Sequence, residues 1–248
     1  MLFYLGTDRP HWLADSEVPL FVSHRVLRDR RRLPRAPVRW ALDSGAFSEL
    51  SLYGRFETTP AAYVAAIRRY RDRIGNLDWA APQDHMCEPW VLAKSELAST
   101  VAEAQAWTVR NLLELRERGP ELPIIPVLQG QTMASYHEHR EAYERAGVDL
   151  AAEPLVGLGS VCRRQATAEI ASLIGSFTDL ALHGFGVKAY GLARYGSFLS
   201  SADSMAWSYW GRRTRPCPVR GTGSCSHCRH FALAWRTRLL RERPPSAI

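Results

Sequence analysis

The chain has 248 residues, of which 46% are hydrophobic, 10% aromatic and 23% charged. That apolar content supports a full buried core and excludes an intrinsically disordered chain, and the length suits one large barrel or doubly wound domain, or two small ones. The formal charge is +7, and because Lys94 and Lys188 are the only lysines, 30 of the 32 basic residues are arginine. GC-rich coding explains a high arginine content. So does an anionic partner, since the guanidinium grips phosphate with a planar fork.

The N-terminal residues lack the basic start and long apolar run of a secretory signal. No window approaches the roughly 18 apolar residues that span a membrane. These features predict a cytoplasmic protein without membrane contact. The cysteine count is odd, at five, and Cys87 and Cys162 stand alone, which argues against a disulfide framework.

In chain order, short apolar runs predict strands over residues 2–6, 20–24, 38–43, 77–82, 124–129, 155–159 and 180–185, with a weaker eighth entering Asp203. Helical patterns lie between them. Thr59 and Pro60 open a predicted helix over 61–70, and a long one is expected over 95–118, stopped by Gly119-Pro120. Further helices are predicted over 132–145 and 167–174, each followed by glycine, and a final amphipathic one over 231–240 that packs Trp235 on the barrel. Alternating strand and helix predicts a parallel sheet, and eight units in this length predict an α/β fold of the (β/α)8 TIM-barrel type. A doubly wound sheet is the second choice, and no GxGxxG supports a dinucleotide fold.

In a barrel, chemistry collects where strands end. Here three strand ends carry a carboxylate: Asp43 in Asp-Ser-Gly-Ala-Phe, Asp84 after Ala-Pro-Gln, and Asp203 in Asp-Ser-Met. One aspartate after a strand is commonly a turn former or helix cap. Three of them beside small residues predict one shared pocket. Paired carboxylates suit chemistry at an anomeric carbon, one attacking and one moving a proton. No HExxH, Walker loop or GxSxG is present to support a protease, NTPase or hydrolase.

These segments resemble the tRNA-guanine transglycosylase superfamily. Residues 43–47 resemble its DSGGF segment, Gln129-Gly130 its VQGG, Gly157-Leu158-Gly159 its GGL, residues 183–187 its GVG stretch, and residues 203–207 its nucleophile segment. The order and spacing agree over residues 42–207, although Gln131 replaces the second VQGG glycine and the chain is short, without a C-terminal RNA-binding domain. The run from Gln83 to Pro89 is similar to the compact DpdA branch, found in phages and bacterial genomic islands. That branch exchanges guanine in DNA for a 7-deazaguanine. The resemblance implies Asp203 as nucleophile on C1′, Asp43 as general acid/base, and Asp84 as reader of the base edge. Gln129, Gly130, Leu158 and Gly159 would supply donors to O6, with Ser44, Gly45, His183 and Gly184 also at the substrate. Phe47 would be a stacking wall, or an ordinary core residue. The implied partners are DNA, a preQ0-like 7-deazapurine base and other DNA-modification proteins. The target base would have to leave the helical stack. A related tRNA enzyme, an N-glycosylase and a catalytically silent nucleic-acid-binding barrel are the alternatives.

Cys217, Cys225, Cys228 and His230 follow as Cys-x7-Cys-x2-Cys-x-His. Cys-x2-Cys is a common half of a tetrahedral Zn2+ site, so a structural zinc is expected, with His227 as another fourth ligand. The expected division is a catalytic barrel over 1–210 and a basic, Cys-rich zinc segment with a terminal helix over 211–248. That second part has nine arginines against Glu242 alone, so it carries +8 and residues 1–210 carry −1. Residues 25–39 hold seven arginines against Asp29. The sequence therefore predicts two phosphate-gripping patches, centred on Arg28, Arg30, Arg31 and Arg32 and on Arg212, Arg213 and Arg215.

Overall fold

The computed structural model describes residues 1–161, 164, 167–219 and 221–241. Cys162, Arg220 and residues 242–248 of the expected C-terminal segment lie outside the described residues. Eight parallel strands form one curled sheet: β1 (Leu2–Thr7), β2 (Leu20–Ser23), β3 (Trp40–Asp43), β4 (Leu77–Ala80), β5 (Val127–Leu128), β6 (Val156–Leu158), β7 (Leu182–Gly184) and β8 (Ser201–Ser204). Their order is β4-β3-β2-β1-β8-β7-β6-β5. Sequence neighbours therefore pair, and β1 pairs with β8 at Tyr4–Asp203. This is a TIM-like α/β arrangement; a doubly wound sheet would reverse its order partway. The two edge strands meet through one parallel bridge, Ala80–Ile124, with Ile125 N–H donating to Ala80 O at 3.1 Å.

The fifth strand is much shorter than the sequence predicts. Pro123 and Pro126 flank Ile124 and Ile125, and proline has no N–H to give a ladder, so regular pairing begins only at Val127. The helical layer is thinner at the start of the chain. Between β1 and β2 there is a single 3-10 turn, Pro10–Ala14. Between β2 and β3 there is one helical turn, α1 (His24–Leu27), followed by the arginine-rich run.

Four of the later helices share a starting device. Thr59, Thr100, Thr132 and Thr167 each accept a bond at a helix start, opening α3 (Pro60–Ile74), α5 (Val101–Arg118), α6 (Met133–Arg145) and α7 (Ala168–Gly175). The shorter α2 (Ala46–Tyr53) and α4 (Pro89–Leu92) lie before α3 and α5, and α8 (Ala189–Tyr195) precedes β8. The helix expected from residue 95 begins only at Val101. Ser95 is occupied instead: its Oγ bonds His85 Nε2 at 2.6 Å and accepts from the backbone of Leu97 and Ala98. Such side-chain bonds favour a turn over a helix.

After β8 come α9 (Ala206–Arg213) and α10 (Arg229–Arg241). Trp235 on α10 packs on Phe3 of β1 with ring centroids 6.3 Å apart, as the amphipathic pattern predicts. On α9, Trp207 is fully buried, stacks on Trp12 at 5.5 Å and donates to Gly6 O at 2.8 Å. One indole thus joins the last strand's helix to the first strand. Trp207→Ala is expected to lower unfolding stability by about 3–5 kcal/mol, read as a lower urea midpoint.

Candidate active site

The carboxyl ends of the strands surround a cavity of about 420 Å³. Asp43, Asp84 and Asp203 all line it, with Phe47, Gln129 and Gly159. A larger depression of about 670 Å³ opens at the opposite end, beside Leu2 and Asp78. Its charged groups satisfy one another: Arg116 grips Glu153 at 2.6 Å and Tyr4 bonds Asp78 at 2.5 Å. The unpaired chemistry lies at the first cavity.

Asp203 is the next-to-last residue of β8 and is buried at 6% exposure. Its Oδ1 accepts from Gly186 N–H at 2.9 Å and lies 3.3 Å from His183 Nε2. His183 Nδ1 meets Ser201 Oγ at 2.8 Å. With the Ser201 hydroxyl donating to Nδ1, the imidazole keeps its proton on Nε2 and donates it to Asp203. Both donors fix one carboxylate oxygen, and Oδ2 makes no hydrogen bond among the described residues. His183 is not part of the cavity lining. It is fully buried, its ring centroid 4.5 Å from Trp79, 4.7 Å from Phe185, 5.9 Å from Phe21 and 6.0 Å from Tyr4.

Asp43 ends β3 and accepts from Gly45 N–H at 3.0 Å. Burial raises its pKa above the ordinary carboxylate range, and the Asp203 charge adds to that; the Gly45 and Ser23 hydrogen bonds oppose it. Gly45 sits at φ +84°, and a Cβ there would fall 2.7 Å from Arg25 Cγ, so this turn requires glycine. Ser44 is buried behind it, its Oγ accepting from Ala46 N–H. Phe47 is 47% exposed at the rim, edge-on to Trp90 at 5.8 Å.

Asp84 follows β4 and takes a 2.5 Å bond from Gln129 Nε2, which follows β5. Burial raises its pKa to about 7, helped by the charges of Asp43 and Glu88 and opposed by the Gln129 bond. Gly159 presents bare backbone beside this pair; a Cβ there would lie 2.2 Å from Gln129 Nε2. Gly130, Leu158 and Gly184 do not line the cavity. Leu158 belongs to the core, Gly130 packs on Ser135 and Tyr136, and Gly184 on Val187 and Leu199.

The cavity is also lined by Glu88, Ser160, Phe185, Gly186 and Met205, which fall inside or beside the motif segments but to which the sequence assigns no role. Glu88 was visible as a carboxylate four residues beyond Asp84. Ser160 carries no pattern; it is placed by a left-handed backbone, φ +55°.

Among the described residues, one cluster has the make-up of a metal site. The Sγ atoms of Cys217, Cys225 and Cys228 lie within 4.8 Å of one another, all buried and none in a disulfide. Burial and the two neighbouring thiols push the Cys225 thiol up to about 12. A cation at their centre would remove that penalty, so three thiols fit a thiophilic metal ion. His230 is exposed and outside the cluster. The other proposed ligand, His227, is directed toward Asp8 at 3.5 Å and Arg9 at 3.3 Å.

The basic segments separate into inner and outer arginines. Arg25 and Arg28 pair with buried Glu49 at 3.0 and 3.1 Å. Arg31 and Arg32 line a cleft of about 530 Å³ with Arg69 and Arg73, with no acid in its lining. Arg30, Arg212, Arg213 and Arg215 are exposed, and Arg213 lies 3.7 Å over the Tyr209 ring.

A family model described as DpdA, DeoxyPurine in DNA protein A, matches residues 1–247. The chain belongs to the DpdA family. Membership implies a DNA deazapurine transglycosylase-type function. A search of curated proteins finds no match. No helix of this DpdA chain is long and apolar enough to cross a membrane among the described residues.

The raised Asp84 pKa has a stability consequence. The native carboxyl binds a proton more tightly than the unfolded one, so its contribution is favourable at low pH and is lost as pH rises from about 4 through about 7. Asp84→Asn is therefore expected to gain about 4 kcal/mol over the parent at pH 8 and little at pH 4, measured by urea unfolding at both values.

Proposed function

We propose that this protein exchanges guanine in DNA for a preQ0-like 7-deazaguanine through a covalent deoxyribosyl-Asp203 intermediate. The observation that carries the reading is the convergence of Asp43, Asp84 and Asp203, from three strand ends, on one cavity. Asp203 attacks C1′ with the oxygen that the Gly186 and His183 donors leave unbound. The C1′–N9 bond breaks and the electron pair leaves with guanine. Asp43, whose hold on a proton is strengthened by burial and by the Asp203 charge, gives a proton to the departing base. It then takes the N9 proton of the incoming deazapurine, whose nitrogen attacks C1′ and frees Asp203. Asp84 accepts from the N–H groups of the purine edge, Gln129 and Gly159 border the same edge, and Phe47 stacks at the rim. Phe21 and Phe185 line the cavity and exclude water, which favours exchange over hydrolysis.

The exposed arginines Arg30, Arg31, Arg32, Arg212, Arg213 and Arg215 hold the DNA backbone, and the target base is extruded into the cavity. Arg28 supports this surface indirectly by fixing Glu49. Cys217, Cys225 and Cys228 would hold a structural Zn2+ that clips the loop between α9 and α10.

Asp203→Ala is expected to abolish both exchange of labelled preQ0 into guanine-containing DNA and covalent trapping; full activity in that variant refutes the assignment. Asp43→Ala should fold normally and turn over at least about a hundredfold more slowly. Metal analysis of the purified protein is expected to give one zinc per chain, and Cys225→Ser to lower both the zinc content and the melting temperature.

A further inference from the structure

Two residues left without a role, Glu88 and Ser160, close a chain of hydrogen bonds with Gln129 and Asp84. Asp84 Oδ2 lies 2.5 Å from the Gln129 amide nitrogen. Gln129 Oε1 lies 2.7 Å from Ser160 Oγ, and Ser160 Oγ lies 2.8 Å from Glu88 Oε2. Cys87 N–H also points at Ser160 Oγ, at 3.2 Å.

Counting protons shows what this chain requires. A serine hydroxyl has one proton, and the Cys87 amide already donates to its oxygen. With Gln129 donating to an Asp84 carboxylate, both Gln129 Oε1 and a Glu88 carboxylate compete for that single proton. One close oxygen–oxygen contact is then left without hydrogen. Adding one proton resolves the conflict in two ways. On Glu88, it donates to Ser160, Ser160 donates to Gln129 Oε1, and Gln129 donates to an Asp84 carboxylate. On Asp84, it donates to Gln129 turned half a revolution, whose NH2 donates to Ser160, whose hydroxyl donates to a Glu88 carboxylate. The heavy-atom positions are the same for both amide orientations.

We propose that Asp84 and Glu88 share one proton through Gln129 and Ser160, so that Glu88 and Ser160 are positioning residues that set whether the base site presents Asp84 as a carboxylate. Its meaning for catalysis rests on the proposed reading of Asp84 as the base reader. The carboxylate form accepts from a guanine-type N–H edge, and the protonated form is the resting arrangement of the empty site. Passing between them releases the Asp84 proton to water in the cavity, takes one up at Glu88, and turns the Gln129 amide and the Ser160 hydroxyl.

The surroundings fit. Asp43 on β3 and Glu88 are the carboxyls that act on Asp84. The Cys87 thiol and the phenols of Tyr63 on α3 and Tyr143 on α6 feel its charge. The cations of this region act elsewhere, Arg25 on Asp43 and Arg164 on Cys87. With no cation in direct contact to offset burial, the Asp84 pKa is raised to about 7, so both protonation states are open near neutral pH. The left-handed backbone at Ser160 brings its hydroxyl into the chain.

The test is a 13C NMR titration of the aspartate carboxyl carbons in the full chain, without base or DNA, the Asp84 signal being assigned by its loss in Asp84→Asn. Glu88→Gln puts a permanent donor at the far end, and the Asp84 midpoint is expected to fall by at least about one pH unit. Ser160→Gly cuts the chain while suiting the left-handed backbone, so the fold is kept. In that background Glu88→Gln is expected to move the midpoint by less than half as much. An equal shift in both backgrounds would mean that Glu88 acts only through space, and no shift in either would remove it altogether; each overturns the proposal. Because no substrate is present, the result is independent of whether the protein exchanges bases.

Discussion

The contact on which the site depends is the one between His183 and Asp203. The inside of the sheet at this level holds rings, Tyr4, Phe21, Trp79 and Phe185, packed around a single imidazole. An imidazole tolerates such a setting because both nitrogens have partners, Ser201 at one and the carboxylate at the other. The rings immobilise the histidine, the histidine orients the aspartate, and the aspartate stands at the end of β8 beside the other two carboxyls. Packing and chemistry are therefore continuous: the core residues of β1, β2, β4 and β7 are also what aims the functional group.

Burial then divides the labour among three chemically identical side chains. Asp203 has two fixed donors on one oxygen. Asp43 has a backbone donor but lies near Asp203, and Asp84 has one amide donor and two carboxyl neighbours. The environment, and not the residue type, gives Asp203 two fixed donors and raises the pKa values of Asp43 and Asp84.

Much of this was legible in the sequence. Apolar runs located the strands, and helical patterns, with Thr59 as a cap, located the longer helices because each rests on local physics; the three aspartates stood out because strand ends are few. What escaped depended on distant atoms. The apolar run of the fifth strand is longer than its paired part because Pro123 and Pro126 take donors out of it. The helix from residue 95 was overextended because Ser95 is claimed by His85, a partner ten residues upstream. Ser160 has no motif, since its place comes from one backbone torsion, and Glu88, visible as a carboxylate near Asp84, shows its partner only once Ser160 is seen beside it. The arginine arm read as a uniform patch, yet Glu49 draws Arg25 and Arg28 inward and leaves Arg31 and Arg32 outside.

The two prolines that shorten β5 leave the wall of the sheet joined there by a single bridge. Just above that seam, the Asp84–Gln129 bond spans from the end of one edge strand to the end of the other. It acts as a latch on the least-stitched part of the wall. A guest that takes over either partner loosens the latch, so, on the proposed reading of Asp84, admitting a base and slackening the barrel at β4 and β5 draw on the same interaction.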